Sequence, residues 1–331
     1  MILTRAPLRI SLAGGGSDLP SFFSHGFGEV LSFAIDQYVY IAAHSYFSGG
    51  IRLSYSKTES VQKYQEIEHP LFRNAMKSLD FHGDIELSSF ADVPGSGTGL
   101  GSSSAFTVAL IHTLLSFKGD HLTEHEIASL ACNIEIEMCG DPIGKQDQFA
   151  SAYGGVNRFK FLSDGSVTVN QNPNLLSKVD FLNNSLLLYY TGSGRSSTSI
   201  LHEQSLAMVP GSDSFTAVSR IRDKVEEMQN YILEENALGV GELLDQSWND
   251  KKKLSSGISN PLFEGMLANA KDLGALGGKL VGAGGGGFLL LCVPYERRNR
   301  FVKEFDSLRH LPFKVSTQGV ETVYNDGIQK L

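Results

Sequence analysis

The stretch Pro94-Gly95-Ser96-Gly97-Thr98-Gly99-Leu100-Gly101-Ser102-Ser103-Ser104-Ala105 leads directly into Ala105–Phe117, an apolar segment that predicts a buried helix. Glycines leave backbone N–H groups free to face an anion, and a helix N-terminus adds about half a positive charge. The serines add hydroxyl groups for a phosphate or a metal ion. The stretch therefore predicts a phosphate-binding loop, with a flexible loop capped by Ser102 as the alternative. It is not a Walker A loop, because GxxxxGK[ST] does not occur in the sequence.

A second glycine cluster, Gly282–Gly287, formally matches GxGxxG. The strand-like segment Phe288–Val293 follows it, whereas a dinucleotide-binding fold requires a helix there. The cluster is therefore predicted to be a turn between two strands. It is either a plain hairpin or a turn whose backbone comes close to a ligand that another domain holds.

Periodicity predicts a mixed α and β protein. Strands are expected at Leu8–Ala13, Val30–Ala43 and Ile85–Phe90, before the glycine loop. Thr123 to Glu126 form a capping box that opens a second helix, which extends to about Met138. Two helices in tandem are therefore expected after the loop.

The second half is predicted to begin with a strand pair at Gly155–Phe161 and Ser185–Thr191 and to continue as helices from about residue 197 to 273. A helix near Arg297–Leu308 and a last strand near Lys314–Thr317 would complete an α+β unit. A length of 331 residues fits two domains at roughly 150 residues each. We place them at residues 1–192 and 193–331.

Composition limits the classes of function. The chain has 28 Lys and Arg against 36 Asp and Glu, a formal net charge of −8, and so has no basic surplus for nucleic acid. Its three cysteines, with no CxxC spacing, favour neither a disulfide framework nor a zinc knuckle. The apolar runs fall well short of a membrane span. We expect a cytoplasmic protein without membrane or nucleic-acid partners.

Acidic residues follow the predicted tandem helices. Glu135 and Glu137 lie two positions apart on a helix, so that only one of them can face a given site. Asp147 comes after the break at Asp141-Pro142, near a predicted helix start, where N-capping is its ordinary role.

Three blocks of sequence resemble the GHMP superfamily of small-molecule kinases, which contains galactokinases, homoserine kinases and mevalonate kinases. They are Ala6-Pro7-Leu8-Arg9 through Gly14-Gly15-Gly16-Ser17-Asp18, the loop Pro94–Ala105, and Lys279–Phe288. The resemblance implies two domains, the first like ribosomal protein S5 domain 2 and the second ferredoxin-like, with the nucleotide between them. It also implies ATP and Mg²⁺ as cofactors.

Roles for individual residues follow from the same resemblance. Ser103 and Glu135 correspond to the Mg²⁺ ligands, Asp147 to the catalytic aspartate, and Arg9 to the basic residue near the transferring phosphate. The residues implied to bind ATP are Gly97, Gly99, Leu100, Gly101, Ser102, Ser103 and Ser104.

The blocks around Arg9, Asp147 and Tyr189-Tyr190-Thr191-Gly192 most resemble bacterial D-glycero-D-manno-heptose 7-phosphate kinases. Gly15-Gly16 stand where galactokinases have Glu-His, which weakens galactose as the substrate. We expect Lys145 or Arg195 to hold the 7-phosphate, since a dianion needs a cation. The residues expected to bind the substrate are Gly15, Gly16, Asp18, Lys145, Arg195 and Gly285.

The resemblance therefore implies phosphorylation of an anomeric hydroxyl, with heptose 7-phosphate as the expected acceptor and surface polysaccharide as the destination of the product. Another sugar 1-kinase, such as an L-fucokinase, is the alternative within this class. A sugar- or nucleotide-binding sensor without turnover is the alternative from a different class. The oligomeric state is left open, a homo-oligomer being one option.

Overall fold

Two β-sheets organise the chain in the computed structural model, which describes residues 1–95, 97–192 and 197–327. The strands are β1 (Ile2–Ala13), β2 (Phe27–Ser45), β3 (Ile51–Ser54), β4 (Thr58–Val61), β5 (Ile85–Ala91), β6 (Val156–Leu162), β7 (Val167–Asn170), β8 (Leu186–Tyr190), β9 (Gly277–Leu280), β10 (Phe288–Cys292), β11 (Arg309–Leu311) and β12 (Glu321–Asn325). The strands predicted before the glycine loop are confirmed as parts of β1, β2 and β5.

The described helices lie around these sheets. They are α1 (Pro20–Phe23), α2 (Pro70–Ser78), α3 (Ser102–Lys118), α4 (Glu124–Cys132), α5 (Gln146–Tyr153), α6 (Pro173–Leu176), α7 (Val179–Ser185), α8 (Ser197–Ala207), α9 (Asp213–Leu233), α10 (Ala237–Lys251), α11 (Pro261–Asp272) and α12 (Tyr295–Glu304). None of them is both long enough and apolar enough to cross a bilayer.

The first sheet contains the long antiparallel pair β1 and β2. Its strand order is β12-β1-β2-β5-β3-β4, and β6 and β7 extend from β2. Buried apolar side chains of β1 and β2 form one core with the apolar helix α3. This core fixes the start of α3, and hence the glycine loop before it, beside β1.

The second sheet has the strand order β11-β8-β10-β9. In chain order its strands are separated by helices, a hairpin and α12, which is the β-α-β-β-α-β pattern of a ferredoxin-like unit. The Gly282–Gly287 turn joins β9 to β10, and these strands pair with Leu289 opposite Leu280. The predicted turn between two strands is therefore confirmed.

The tandem helices after the loop are confirmed, with one difference. The Thr123 capping box opens α4, which ends at Cys132 and continues as a π-helical segment, Asn133–Met138. The wider π turn directs the Glu135 side chain into the protein, where it is fully buried.

Two strand predictions were wrong. The segments predicted to pair with each other became β6 and β8, which lie in different sheets, because β6 pairs with β2 and β8 with β10. The segment Lys314–Thr317 forms only a single bridge, from Val315 to Ile35. Local pattern identified the extended segments of the pair but could not select their partners.

The sheets do not divide the chain at residue 192. Strand β8 ends before that position yet belongs to the second sheet, and β12 lies after it yet pairs with β1. Alternate side chains of β8 face opposite sides. Leu186 and Leu188 pack in the core of the first sheet, and Leu187 and Tyr189 in that of the second. The division of domains at 192 and 193 stays a prediction.

Candidate active site

The glycine loop leads into α3 through left-handed backbone. Gly97, Gly99 and Gly101 have φ of 71°, 75° and 77°, a region that favours glycine. Gly101 stands directly before α3, so that Ser102 to Ser104 form the helix's first turn. Unpaired N–H groups at this end of a helix attract an anion. The left-handed glycines and the helix start predicted for this loop are therefore present, and phosphate binding stays a prediction.

Arg9 joins this loop to Asp147. Its Nε donates to Asp147 Oδ1 at 2.7 Å, and its Nη1 donates to the Gly99 carbonyl at 2.6 Å. The guanidinium is held from two sides, and Arg9 is only 4% exposed. Asp147 lies in the first turn of α5, and a Cβ built on Gly101 would be 3.1 Å from its Oδ2. A cation and a carboxylate therefore meet at the start of α3.

Glu135 is surrounded by donors from α3 and α5. Its carboxylate accepts hydrogen bonds from Ser103 at 3.3 Å, Ser104 at 2.8 Å and Thr107 at 2.9 Å, and also from Gln148. Burial raises the pKa of Glu135 to about 7, against these hydrogen bonds, which lower it. A cation bound beside Glu135 would therefore offset the cost of burying its negative charge.

Ser103 and Glu135 fit the Mg²⁺ that the resemblance implies. Both supply oxygen, which a hard cation prefers, and their oxygens lie together at 3.3 Å. Ser103 also lines the neighbouring cavity, so that an ion held here could reach phosphate oxygens.

Asp18 lies buried on the turn that follows β1. Its Oδ1 accepts from the Gly16 N–H at 2.9 Å, and the Gln146 N–H donates to Oδ2 at 3.4 Å. Gly144 packs so closely against this carboxylate that a Cβ there would overlap it. Burial, followed by the negative charge of Asp147, raises the pKa of Asp18.

One cavity of about 740 Å³ is lined by the glycine loop, Arg9, Asp18 and Asp147, whereas Glu135 is not among its lining residues. Arg9 lines it from β1 and Asp18 from the turn after β1, while Lys279 lines it from β9 of the second sheet. The sequence-predicted residues that line it are Arg9, Gly15, Gly16, Asp18, Gly97, Gly99, Gly101, Ser102, Ser103, Ser104 and Asp147. The structure therefore brings the predicted loop, acid and arginine to one place.

Both halves of the chain match one family. Residues 61–155 match the GHMP kinases N terminal domain, and residues 228–306 match the GHMP kinases C terminal domain. The chain belongs to the GHMP kinases. The kinase class and the fold predicted from the sequence are confirmed.

The relatives of this GHMP kinase include sugar kinases. A D-glycero-alpha-D-manno-heptose 7-phosphate kinase of Campylobacter jejuni is 30% identical over 314 residues, 91% of this chain and 92% of that protein. An L-fucokinase/L-fucose-1-P guanylyltransferase of Bacteroides fragilis is 28% identical over 329 residues, 87% of this chain and 34% of that protein.

Solved structures share the fold of this GHMP kinase. A D-glycero-D-manno-heptose 1-phosphate kinase from Bacteroides thetaiotaomicron superposes with a TM-score of 0.79 at 24% identity, covering 98% of this chain and all of that one. A putative sugar kinase from Campylobacter jejuni gives 0.77 at 26% identity, covering 97% of each chain.

Two described residues expected to bind the substrate, Lys145 and Gly285, lie outside the cavity lining. The Lys145 ammonium group donates to the Gly165 carbonyl at 2.6 Å and lies over the Phe23 ring, outside the cavity lining. Gly285 also lies outside the lining, where its N–H donates to the Ile258 carbonyl at 2.8 Å. Arg195 lies outside the described residues. Leu100, expected to bind ATP, is buried and does not line the cavity either.

Sequence reasoning missed two lysines of this GHMP kinase that do line the cavity. Lys251 ends α10, and Lys279 lies on β9. Burial lowers the pKa of Lys251 to about 8 and lowers that of Lys279 well below its ordinary value. Lys251 belongs to a run of three lysines, which normally indicates a solvated surface, so the sequence carried no signal for it.

Proposed function

We propose that this kinase transfers the γ-phosphoryl group of ATP to the anomeric C1 hydroxyl of a sugar phosphate, with D-glycero-D-manno-heptose 7-phosphate as the acceptor and the 1,7-bisphosphate as the product. The product would supply nucleotide-activated heptose for a surface polysaccharide. The observation that carries this proposal is the Arg9–Asp147 pair at the start of α3, in a chain whose heptose 7-phosphate kinase relative covers 91% of it.

Asp147 is the proposed proton acceptor. Arg9 binds its Oδ1, which leaves Oδ2 to accept the proton of the acceptor hydroxyl. The hydroxyl oxygen then bonds to the γ-phosphorus, the bond from that phosphorus to the bridging oxygen breaks, and ADP leaves. An anomeric hydroxyl is more acidic than an ordinary alcohol, so a positioned carboxylate is a sufficient base.

Charge complementarity supports the transfer. Phosphoryl transfer passes through a loose transition state, so that alignment and neutralisation matter more than covalent chemistry. Arg9 and the α3 N-terminus supply positive charge where the phosphates of ATP would bind. Mg²⁺, held by Ser103 and Glu135, would neutralise phosphate oxygens of the nucleotide.

The acceptor would bind beside the Gly14–Asp18 turn. Asp18 and the Gln146 amide line this side of the cavity, and Gln146 Oε1 is buried with no hydrogen-bond partner in the described structure. Buried polar atoms are normally satisfied, so that this oxygen favours a donor such as a sugar hydroxyl. L-fucose is the second candidate acceptor, on the strength of the L-fucokinase relative.

Phosphorus NMR of the product tests the proposal. The enzyme is incubated with ATP, Mg²⁺ and one acceptor: heptose 7-phosphate, heptose 1-phosphate, L-fucose or galactose. We expect a new phosphorus resonance coupled to the anomeric proton with heptose 7-phosphate. The Asp147→Asn variant measures background hydrolysis. Transfer to heptose 1-phosphate would show that the new phosphate goes to a hydroxyl other than the one on C1. Transfer to a free sugar alone would refute a sugar phosphate as the acceptor.

A further inference from the structure

Two lysine side chains line the cavity, and each ammonium group donates to a backbone carbonyl. Lys279 Nζ donates to the Leu12 carbonyl at 2.8 Å, and Lys251 Nζ donates to the Gly282 carbonyl. Within the described residues, neither lysine forms an ion pair with Asp or Glu. Burying a charge without a counter-charge is costly. These lysines therefore indicate an anion that binds between them.

Neighbouring positive charge increases this cost. Arg9 and Lys251 both contribute to the lowered pKa of Lys279, although burial is the larger cause. Arg9 lowers the pKa of Lys251 as well, and Asp18 and Asp147 oppose it. Three cationic groups therefore share one cavity, and Arg9 alone among them has a carboxylate partner in the described part of the chain.

Three further buried polar groups line the same cavity as the lysines. Ser11 Oγ, Gln204 Nε2 and Ser247 Oγ are buried, line the same cavity and have no hydrogen-bond partner among the described residues. Ser247 precedes Lys251 by four residues, so that both lie on one face of α10. The two hydroxyls and the amide N–H can each donate a hydrogen bond, which fits a group with several oxygens and negative charge.

The contacts of these groups place them beside the acceptor turn and the glycine loop. Ser11 Oγ is 3.4 Å from a Cβ built on Gly15, and Lys279 reaches the next carbonyl of β1, at Leu12. Both therefore lie beside the turn where the acceptor is proposed to bind. Lys251 donates to the Gly282 carbonyl, and Gly282 packs directly against Gly99 of the glycine loop.

We propose that Lys279, Lys251, Ser11, Gln204 and Ser247, the lysine cluster, form a second phosphate site. This inference rests on the proposed kinase reaction. The group it binds is a phosphate monoester, either the one that the acceptor already carries or the one in transfer. The cluster takes the role expected of Lys145, while Arg195, the other expected phosphate ligand, lies outside the described residues.

The test uses Lys279→Met and Lys251→Met, which keep side-chain length and remove the charge. Titration calorimetry measures binding of heptose 7-phosphate, of the unphosphorylated heptose and of ADP with Mg²⁺. Steady-state kinetics gives kcat and KM. Lys253→Met is the control, because this lysine lies only two residues from Lys251 but is exposed and pairs with Asp250.

Two results would support the site and identify its phosphate. A loss of affinity for heptose 7-phosphate of roughly 10- to 100-fold, the scale of one charge-assisted hydrogen bond, with unphosphorylated heptose within about 3-fold, assigns it to the acceptor's phosphate. A fall in kcat of about 100-fold, with ADP and sugar phosphate affinities unchanged, assigns it to the phosphate in transfer.

Equal weakening of both heptoses, or no change beyond about 3-fold in folded variants, would overturn the site. Inorganic phosphate provides a probe that does not depend on the sugar. Saturable thermal stabilisation of the wild type, absent in Lys279→Met and kept in Lys253→Met, would support the site even if heptose 7-phosphate is not the substrate. Equal stabilisation of all three proteins by phosphate would count against it.

Discussion

Arg9 Nε donates to Asp147 Oδ1 at 2.7 Å although the two residues are 138 positions apart. The same guanidinium donates to the Gly99 carbonyl, so that one side chain connects β1, α5 and the glycine loop. A carboxylate held in this way is fixed in orientation before any ligand binds. Fixed orientation is what a base for phosphoryl transfer requires, since alignment supplies much of the rate.

Asp147→Asn is expected to lower kcat by about 100-fold or more, because the amide cannot accept the acceptor's proton. ADP affinity should stay within about 3-fold, since the amide oxygen can still accept from Arg9. Coupled measurement of ADP release gives kcat, and calorimetry gives ADP affinity. Asp272→Asn, at an exposed position in α11, should behave as wild type. Near-normal turnover of Asp147→Asn would remove this residue from its role.

Glu135→Gln is expected to raise the Mg²⁺ concentration for half-maximal activity by 10-fold or more, since a neutral amide replaces a charged ligand. The fold should tolerate the change. Hydroxyls of Ser104 and Thr107 can rotate to accept, and Gln148 has an unpartnered Oε1 to offer. Activity measured against Mg²⁺ concentration checks this.

The neighbouring Glu137→Gln serves as the control for that experiment, because Glu137 is exposed on the same π-helical segment. An unchanged Mg²⁺ dependence in Glu135→Gln would mean that the carboxyl group serves only the packing of α3 against α5.

Local signals predicted the parts of the site that depend on local geometry. Alternate glycines before an apolar helix located the loop and α3, because left-handed backbone and helix polarity are properties of a short segment. Arg9 and Asp147 were both named, by resemblance, but nothing local shows that they touch. Lys145 or Arg195 was expected to hold the phosphate and Lys251 was not considered, since only the packing of α10 determines which lysine of a run enters the cavity.

Gly282→Ala is expected to destabilise the protein by roughly 2 kcal/mol or more and to weaken ADP binding. Gly282 has φ of 72°, and a Cβ there would overlap the Gly99 Cα of the glycine loop. Positive φ alone costs an L side chain on the order of 1 kcal/mol or more. Urea denaturation and ADP titration measure both effects.

Gly265→Ala provides the matched control, because Gly265 lies inside α11 with open space around a built Cβ. It should stabilise the protein by up to about 1 kcal/mol through helix propensity. Similar stability changes in the two alanine variants would show that the Gly282–Gly287 turn does not pack closely on the loop.

Lys251→Met is expected to make the ligand-free protein more stable at pH 7 in phosphate-free buffer. The lysine's pKa of about 8 in the fold lies below its ordinary 10.5, so the fold disfavours the charged form. Below pH 8 the lysine is charged in both states, and burial of that charge costs at most about 3 kcal/mol. The variant also loses the hydrogen bond to the Gly282 carbonyl, which reduces its gain in stability by about 1 kcal/mol.

The advantage of Lys251→Met should disappear as the pH rises from 8 to 10.5. In that interval the unfolded wild type binds more protons than the folded one, so that wild-type stability gains relative to the variant. Urea denaturation of both proteins at pH 7, 8, 9 and 10 measures the difference. Lys253→Met, whose charge is exposed, should show a difference that does not change over this interval. A Lys251→Met protein that is less stable than wild type at pH 7 would mean that the buried ammonium group is stabilised by the fold itself, without an anion.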